Sequence, residues 1–155
     1  MRCGDIQVRN LWETKLMGYK TYSQLMQFDS FEDRLTYLLL HGHVGSSTFG
    51  SHRYLNQEFY TSYRWQKFRQ QIILRDMGCD LAHPDFPIPK GVKLFIHHIN
   101  PISIDDLQHG ADSLLDPENA ICVTFNTHQA IHYSDPSIAL SNIADRKPND
   151  TVPWR

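Results

Sequence analysis

The sequence predicts an α+β chain in which two short strands and a small helix carry a histidine cluster, with helices around them. Three observations lead there: His97-His98 closes an apolar run, Ala120 to Phe125 is a second run of strand length, and His128 and His132 follow it four residues apart.

Taken in order, Thr21 to Phe28 reads as a short helix, and Ser30-Phe31-Glu32-Asp33 offers a capping-box-like start to a second one running to about Leu40. Gly42, Gly45 and Gly50, with Ser46, Ser47 and Thr48, then mark a loop. Ser62 can cap a long helix that reaches about Met77 and is ended by Gly78. Within it Trp65, Phe68, Ile72 and Ile73 recur at helical spacing and face the core. Lys93-Leu94-Phe95-Ile96-His97-His98, after Gly91, is rich in strand formers and runs into a turn at Ile99-Asn100-Pro101. Ser103 to Glu118 reads as a loop whose Asp105, Asp106, Asp112 and Asp116 point away from any polyanion. After the second strand, Asn126 or Thr127 offers an N-cap for a helix carrying His128 and His132, which Ser134-Asp135-Pro136 ends. Asp145 to Arg155 reads as an extended tail packed through Trp154, and the chain has no internal repeat.

The chemistry lies in the histidines. Neighbouring strand residues point to opposite faces, so His97 and His98 can hold different jobs. Residues four apart share a helical face, so His128 and His132 can grip one ion together while His97 supplies a third imidazole. His41, His43, His52, His83 and His109 have no comparable spacing and read as loop residues.

Composition bounds the rest. The 155 residues, 41% hydrophobic, fit one domain with a modest core. Leu38-Leu39-Leu40 ends at His41-Gly42, so no run is long enough to span a bilayer, and the first residues lack a signal-peptide layout; a cytoplasmic protein is expected. Cys3, Cys79 and Cys122 are an odd set without metal-site spacing and are expected as reduced thiols, Cys122 in the core. The net charge of −2 is a handicap for nucleic-acid binding unless positive charge is local. Arg64, Lys67, Arg69 and Arg75 on the long helix, with Lys90 and Lys93 beside the first strand, form either such a patch or an ordinary solvated face.

Leu94 to Pro101 (LFIHHINP), Asp116 to Cys122 (DPENAIC) and Thr127 to His132 (THQAIH) together resemble the HNH endonucleases, nucleases of the ββα-metal type. Upstream, Trp65 to Cys79 is similar to the helix that commonly precedes that core, so the resemblance covers roughly residues 53–135. Asp29 to Arg34, Tyr54 to Gln57, Pro148 to Thr151 and Pro153 to Arg155 are similar to small HNH proteins of tailed bacteriophages. The resemblance implies a helical extension over 1–52, a nuclease core over 53–135 and a tail over 136–155 packed on or extending from it. It makes His98 the general base, His97, His128 and His132 the ligands of one divalent cation, and Asn119 the organiser of the strand bearing the base. Three imidazoles favour Zn²⁺, Ni²⁺ or Mn²⁺ over the Mg²⁺ preferred by carboxylate variants. Many relatives frame the core with two CxxC pairs around a structural zinc, but here Ala82 stands three residues after Cys79, and Thr124 and Thr127 occupy the second pair's places. A second zinc is therefore not expected.

The resemblance implies a nuclease that nicks or cuts double-stranded DNA in the host cytoplasm if phage-encoded, beside a terminase large subunit in DNA packaging or as a free-standing homing-type enzyme. One finger makes one cut, and a two-fold dimer is the simplest route to two. The alternatives are a zinc-stabilised DNA- or protein-binding module and a scaffold for a partner, neither of which needs His98.

Overall fold

The computed structural model describes residues 18–41, 53–83 and 87–140. The loop read at Gly42 to Gly50, with His43 and His52, and the tail read at Asp145 to Arg155, with Trp154, lie outside the described residues, as does Cys3. The elements are α1 (Tyr22–Leu25), α2 (Phe31–Leu38), α3 (Arg53–Thr61), α4 (Tyr63–Arg75), β1 (Leu94–His98), α5 (Ile104–His109), two 3₁₀ turns (Asp112–Leu115 and Pro117–Asn119), β2 (Ala120–Thr124), α6 (Phe125–Tyr133) and α7 (Pro136–Leu140). The strands form a two-stranded antiparallel sheet, giving a mixed α+β architecture. None of the described helices is long and apolar enough to cross a membrane.

Side-chain parity places the sheet between two hydrophobic clusters. Leu94, Ile96, Ala120 and Cys122 pack with Trp65, Phe68 and Ile72 of α4. Phe95, Ile121 and Val123 pack on the other side with Leu25, Leu35, Leu38 and Ile131, from α1, α2 and α6. Strand residues alternate between faces, so the same parity sends His97 and His98 to opposite sides. Leu94 to Ile96 and Ala120 to Val123 are continuous apolar runs because both faces of the sheet are covered there.

Several ends follow from caps visible in the sequence. Ser30 and Ser62 accept from Asp33 and Trp65 backbone N–H groups and start α2 and α4. Other ends differ from the reading above. α2 stops at Leu38, because Leu39 turns extended and the Leu40 N–H is donated to the Ile131 carbonyl of α6. α4 stops at Arg75, with Met77 and Gly78 both in the left-handed region at φ 52° and 66°. α6 begins at Phe125, not after Asn126 or Thr127, because the Thr124 hydroxyl accepts from Thr127 N–H and Thr124 is the N-cap. The stretch read as a loop after Ser103 instead holds α5, closed by a capping box between Ser103 and Asp106 and by Gly110 at φ 63°. His109 therefore lies on a helix, and His83 stacks on Phe31 with ring centroids 4.0 Å apart. The segment after Pro136 opens as α7, whose Ile138 and Ala139 pack on the core.

Two buried carboxylates hold the sheet's outer edge. Asp76 accepts from Cys122 N–H at 2.8 Å and pairs with the Arg75 guanidinium, which also donates to the Pro117 and Ala120 carbonyls. Asp80, fully buried, accepts from the Thr124 N–H at 2.9 Å, the Thr124 hydroxyl at 2.8 Å, the Thr127 hydroxyl at 2.6 Å and the Ala82 N–H at 3.1 Å. These bonds fasten the β2–α6 junction to the end of α4. A buried donor left without its acceptor costs its full desolvation. Asp80→Ala is therefore expected to lower stability by about 3 kcal/mol, read as a fall in the urea midpoint. An unchanged midpoint would show that the junction is held by packing alone.

Candidate metal centre

β1 presents His97 toward α6, where His128 and His132 sit one turn apart. The ring centroids of His97 lie 5.4 Å from His128 and 5.3 Å from His132, with the latter two 4.3 Å apart. One ligand nitrogen from each histidine falls within 4.8 Å of the others, so the three can hold a metal ion. Nε2 of His97 is, among the described residues, the buried side-chain polar atom with no hydrogen-bond partner. Such an atom carries an uncompensated desolvation cost that coordination to a cation would remove.

The electrostatics keep these ligands unprotonated. Burial, then the charges of His128, His132, His98 and Lys20, holds His97 well below the ordinary imidazole value. Burial and then His132 bring His128 down to about 4, and burial lowers His132. All three therefore offer lone pairs at neutral pH without displacing a proton.

His98 is arranged differently. Its ring lies 5.6 Å from that of Trp65, and its Nε2 is 3.0 Å from the Leu114 carbonyl oxygen. A carbonyl only accepts, so Nε2 carries the hydrogen and Nδ1 carries the lone pair. Burial lowers the pKa of His98, while the bond to Leu114 opposes that shift. The result is a neutral imidazole in a fixed tautomer.

Asn119 is buried at the start of β2 and organises this region. Its Oδ1 accepts from Asn100 N–H at 2.9 Å and from Asn100 Nδ2 at 2.6 Å, while its Nδ2 donates to the Ser113 carbonyl at 3.0 Å. It thereby ties the turn just after His98 to the segment whose next carbonyl, on Leu114, fixes the His98 ring. Asn100 extends the clamp to the Lys20 backbone, accepting at Oδ1 and donating from Nδ2. Asn100 carries this role without any motif to mark it; the signal available was its place in the turn Ile99-Asn100-Pro101.

A groove of about 770 Å³ opens over β1 and reaches His97, His98, His128 and His132. Arg69 and Lys93 line it, and no carboxylate does among the described residues. The basic residues grouped in the sequence separate here. Arg64 and Lys67 are exposed on α4 away from the groove. Arg75 turns inward: besides its bonds to Asp76, Pro117 and Ala120, its guanidinium lies 3.7 Å from the Tyr22 ring centroid. Its donors serve internal acceptors, which corrects its assignment to a nucleic-acid face.

The chain matches no family model, no curated protein and no solved structure.

The lowered histidines set a pH dependence for the metal-free protein. Folded-state values below the unfolded one mean that the unfolded chain binds more protons between them, so stability falls as pH drops from about 6.5 toward about 4. Urea titrations of metal-stripped protein across that window are expected to show the loss, and His128→Ala is expected to flatten it. A pH-independent midpoint would show that the three rings are hydrated rather than buried together.

Proposed function

We propose that the protein is a divalent-metal-dependent endonuclease of the HNH type, built on a ββα-metal core and hydrolysing DNA phosphodiester bonds. The observation that carries this reading is the pairing of a three-imidazole site with an adjacent neutral histidine whose tautomer is fixed and which takes no part in that site. A purely structural metal site has no use for such a neighbour.

Nδ1 of His98 takes a proton from a water that attacks phosphorus in line with the departing 3′ oxygen. A phosphorus–oxygen bond forms to the water oxygen, the bond to the 3′ oxygen breaks, and a solvent proton completes the 3′ hydroxyl, leaving a 5′ phosphate. A cation held by His97, His128 and His132 would screen the non-bridging oxygen and the charge developing on the leaving oxygen. Zn²⁺, Ni²⁺ and Mn²⁺ suit the imidazole set better than Mg²⁺. Asn119 and the Leu114 carbonyl keep the base aimed, and Arg69 and Lys93 contact phosphates along the groove.

The similarity to small phage proteins, with a net charge of −2, supports action beside a partner that contributes DNA contacts, such as a terminase large subunit. A homodimer would supply a second cut. The competing reading is a zinc-stabilised binding module without catalysis, which leaves His98 without a task.

Metal-stripped protein given Mg²⁺, Mn²⁺, Ni²⁺ or Zn²⁺ is expected to relax supercoiled plasmid with at least one ion. His98→Ala is expected to keep its metal and lose about 10²- to 10⁴-fold in rate, whereas His128→Ala loses the metal. Folded, metal-loaded protein that cuts nothing, alone or with a terminase subunit added, would support the binding module.

A further inference from the structure

We propose that Phe125 is a seat for one unstacked nucleobase beside the metal centre, so that the site takes nucleic acid with an unpaired base next to the phosphate to be cut; this rests on the nuclease reading. Phe125 is the first residue of α6 and is 51% exposed, unusual for a phenylalanine, and it packs on Phe95, which lines the groove. Phe125, His128 and His132 fall at i, i+3 and i+7 on one helix, so the ring lies on the metal-facing side, one turn before the first ligand. One turn is about 5 Å of rise, comparable with the reach from a nucleobase to its own phosphate.

The ring is joined to the site by other rings. Its centroid is 5.7 Å from Phe95, and the Phe95 ring stacks against His128 at 5.6 Å. Phe125, Phe95 and His128 therefore form a continuous aromatic wall from solvent to the ligand set. Among the described residues, Phe95 is the ring packed on Phe125, which leaves much of its area open. Lys93, exposed, sits 5.0 Å over the Phe95 ring, and no acidic residue stands in the first turn of α6. An exposed aromatic packed on a ring that carries a cation, with no acidic residue in the first turn of its helix, matches how proteins hold single-stranded nucleic acid, with a base on the ring and a phosphate on the cation. Tyr60 is exposed and lines the groove, but its ring packs edge-on against both Phe59 and Trp65, whereas among the described residues Phe95 is the ring packed on Phe125.

The occupant follows from charge and shape: a planar π-face carried on a polyanion. A duplex interior keeps its bases stacked on one another, so only an unpaired or flipped base can lie on Phe125.

The test uses metal-stripped full-length protein, which binds without cutting, and one DNA sequence prepared as a single strand, a perfect duplex and a duplex with a one-base bulge. Each bears 2-aminopurine at the same position of the sequence, which is unpaired in the single strand and in the bulge. Wild type is expected to bind the single strand and the bulge more tightly than the duplex and to quench the probe. Phe125→Ala should weaken those two forms by at least about fivefold while leaving duplex affinity unchanged, and Phe125→Trp should restore both binding and quenching. Phe125→Ala binding all three forms like wild type, or losing all three equally, overturns the seat alone. Self-association of wild type that Phe125→Ala abolishes assigns the ring to a second copy and also overturns it. Absence of DNA binding in any form, by the metal-stripped wild type and by Zn²⁺-loaded His98→Ala protein alike, overturns the nuclease reading together with the seat.

Discussion

The alternation of side chains across one strand is the constraint on which the rest of the site depends. His97 and His98 are adjacent, yet the register of β1 on β2, with His97 opposite Ile121 and His98 opposite Ala120, sends them into different environments. One ring joins two histidines of α6, while the other lies against Trp65 and a carbonyl. A slip of one residue would exchange them, place His98 among the ligands and strip the lone-pair-bearing ring from its carbonyl. Register is therefore what the surrounding polar network protects. Asn119 and Asn100 lock the turn after His98, and the two apolar clusters reject any register that would turn Phe95 or Ile96 to the wrong face.

Two carboxylates hold the far side of the sheet. The hydroxyls of Thr124 and Thr127 both converge on one oxygen of Asp80. Asp76 and Arg75 brace the same edge through Cys122, Ala120 and Pro117. A carboxylate accepting several short hydrogen bonds is strong only while it stays dry and charged, so the junction depends on burial of Asp80. The neighbouring thiol of Cys122 is pushed up by burial and by Asp76, which leaves it an inert core group.

What the sequence made legible was local. The histidine spacings, the strand-forming runs and the serine caps at Ser30 and Ser62 each need only a few neighbouring residues, and each leads to the element observed. The misplaced features need distant partners or compete with a stronger local signal. Thr124 reads as the end of an apolar strand, yet its hydroxyl caps α6 because Asp80, 44 residues away, fixes its backbone. Helix α3 is hard to read from the sequence because the clear cap at Ser62 marks the start of the helix that follows it. Arg75 shares a helix with Arg64, Lys67 and Arg69, and nothing nearby in sequence says that Tyr22, Pro117 and Ala120 will surround it. Acidic residues after Ser103 read as loop because the capping box at Ser103 uses Asp in place of the commoner Glu.

The same redistribution explains how a chain with a net charge of −2 can carry a basic groove. Charges farther apart than a Debye length, about 8 Å at physiological salt, are largely screened, so the balance over the whole chain says little about the field at one groove. Several acidic groups are turned to other work: Asp76 and Asp80 are buried, Asp106 caps α5, and Glu118 accepts from the backbone and hydroxyl of Ser23. None of the described carboxylates lines the groove, whereas Arg69 and Lys93 do. Low-dielectric walls formed by Trp65, Ile96 and Phe95 strengthen the field of those two cations over the histidines. The three ligands, held neutral by burial, add no positive charge of their own until a cation is bound. A cation held there would add its charge to those of Arg69 and Lys93 and strengthen the pull of the groove on any anion.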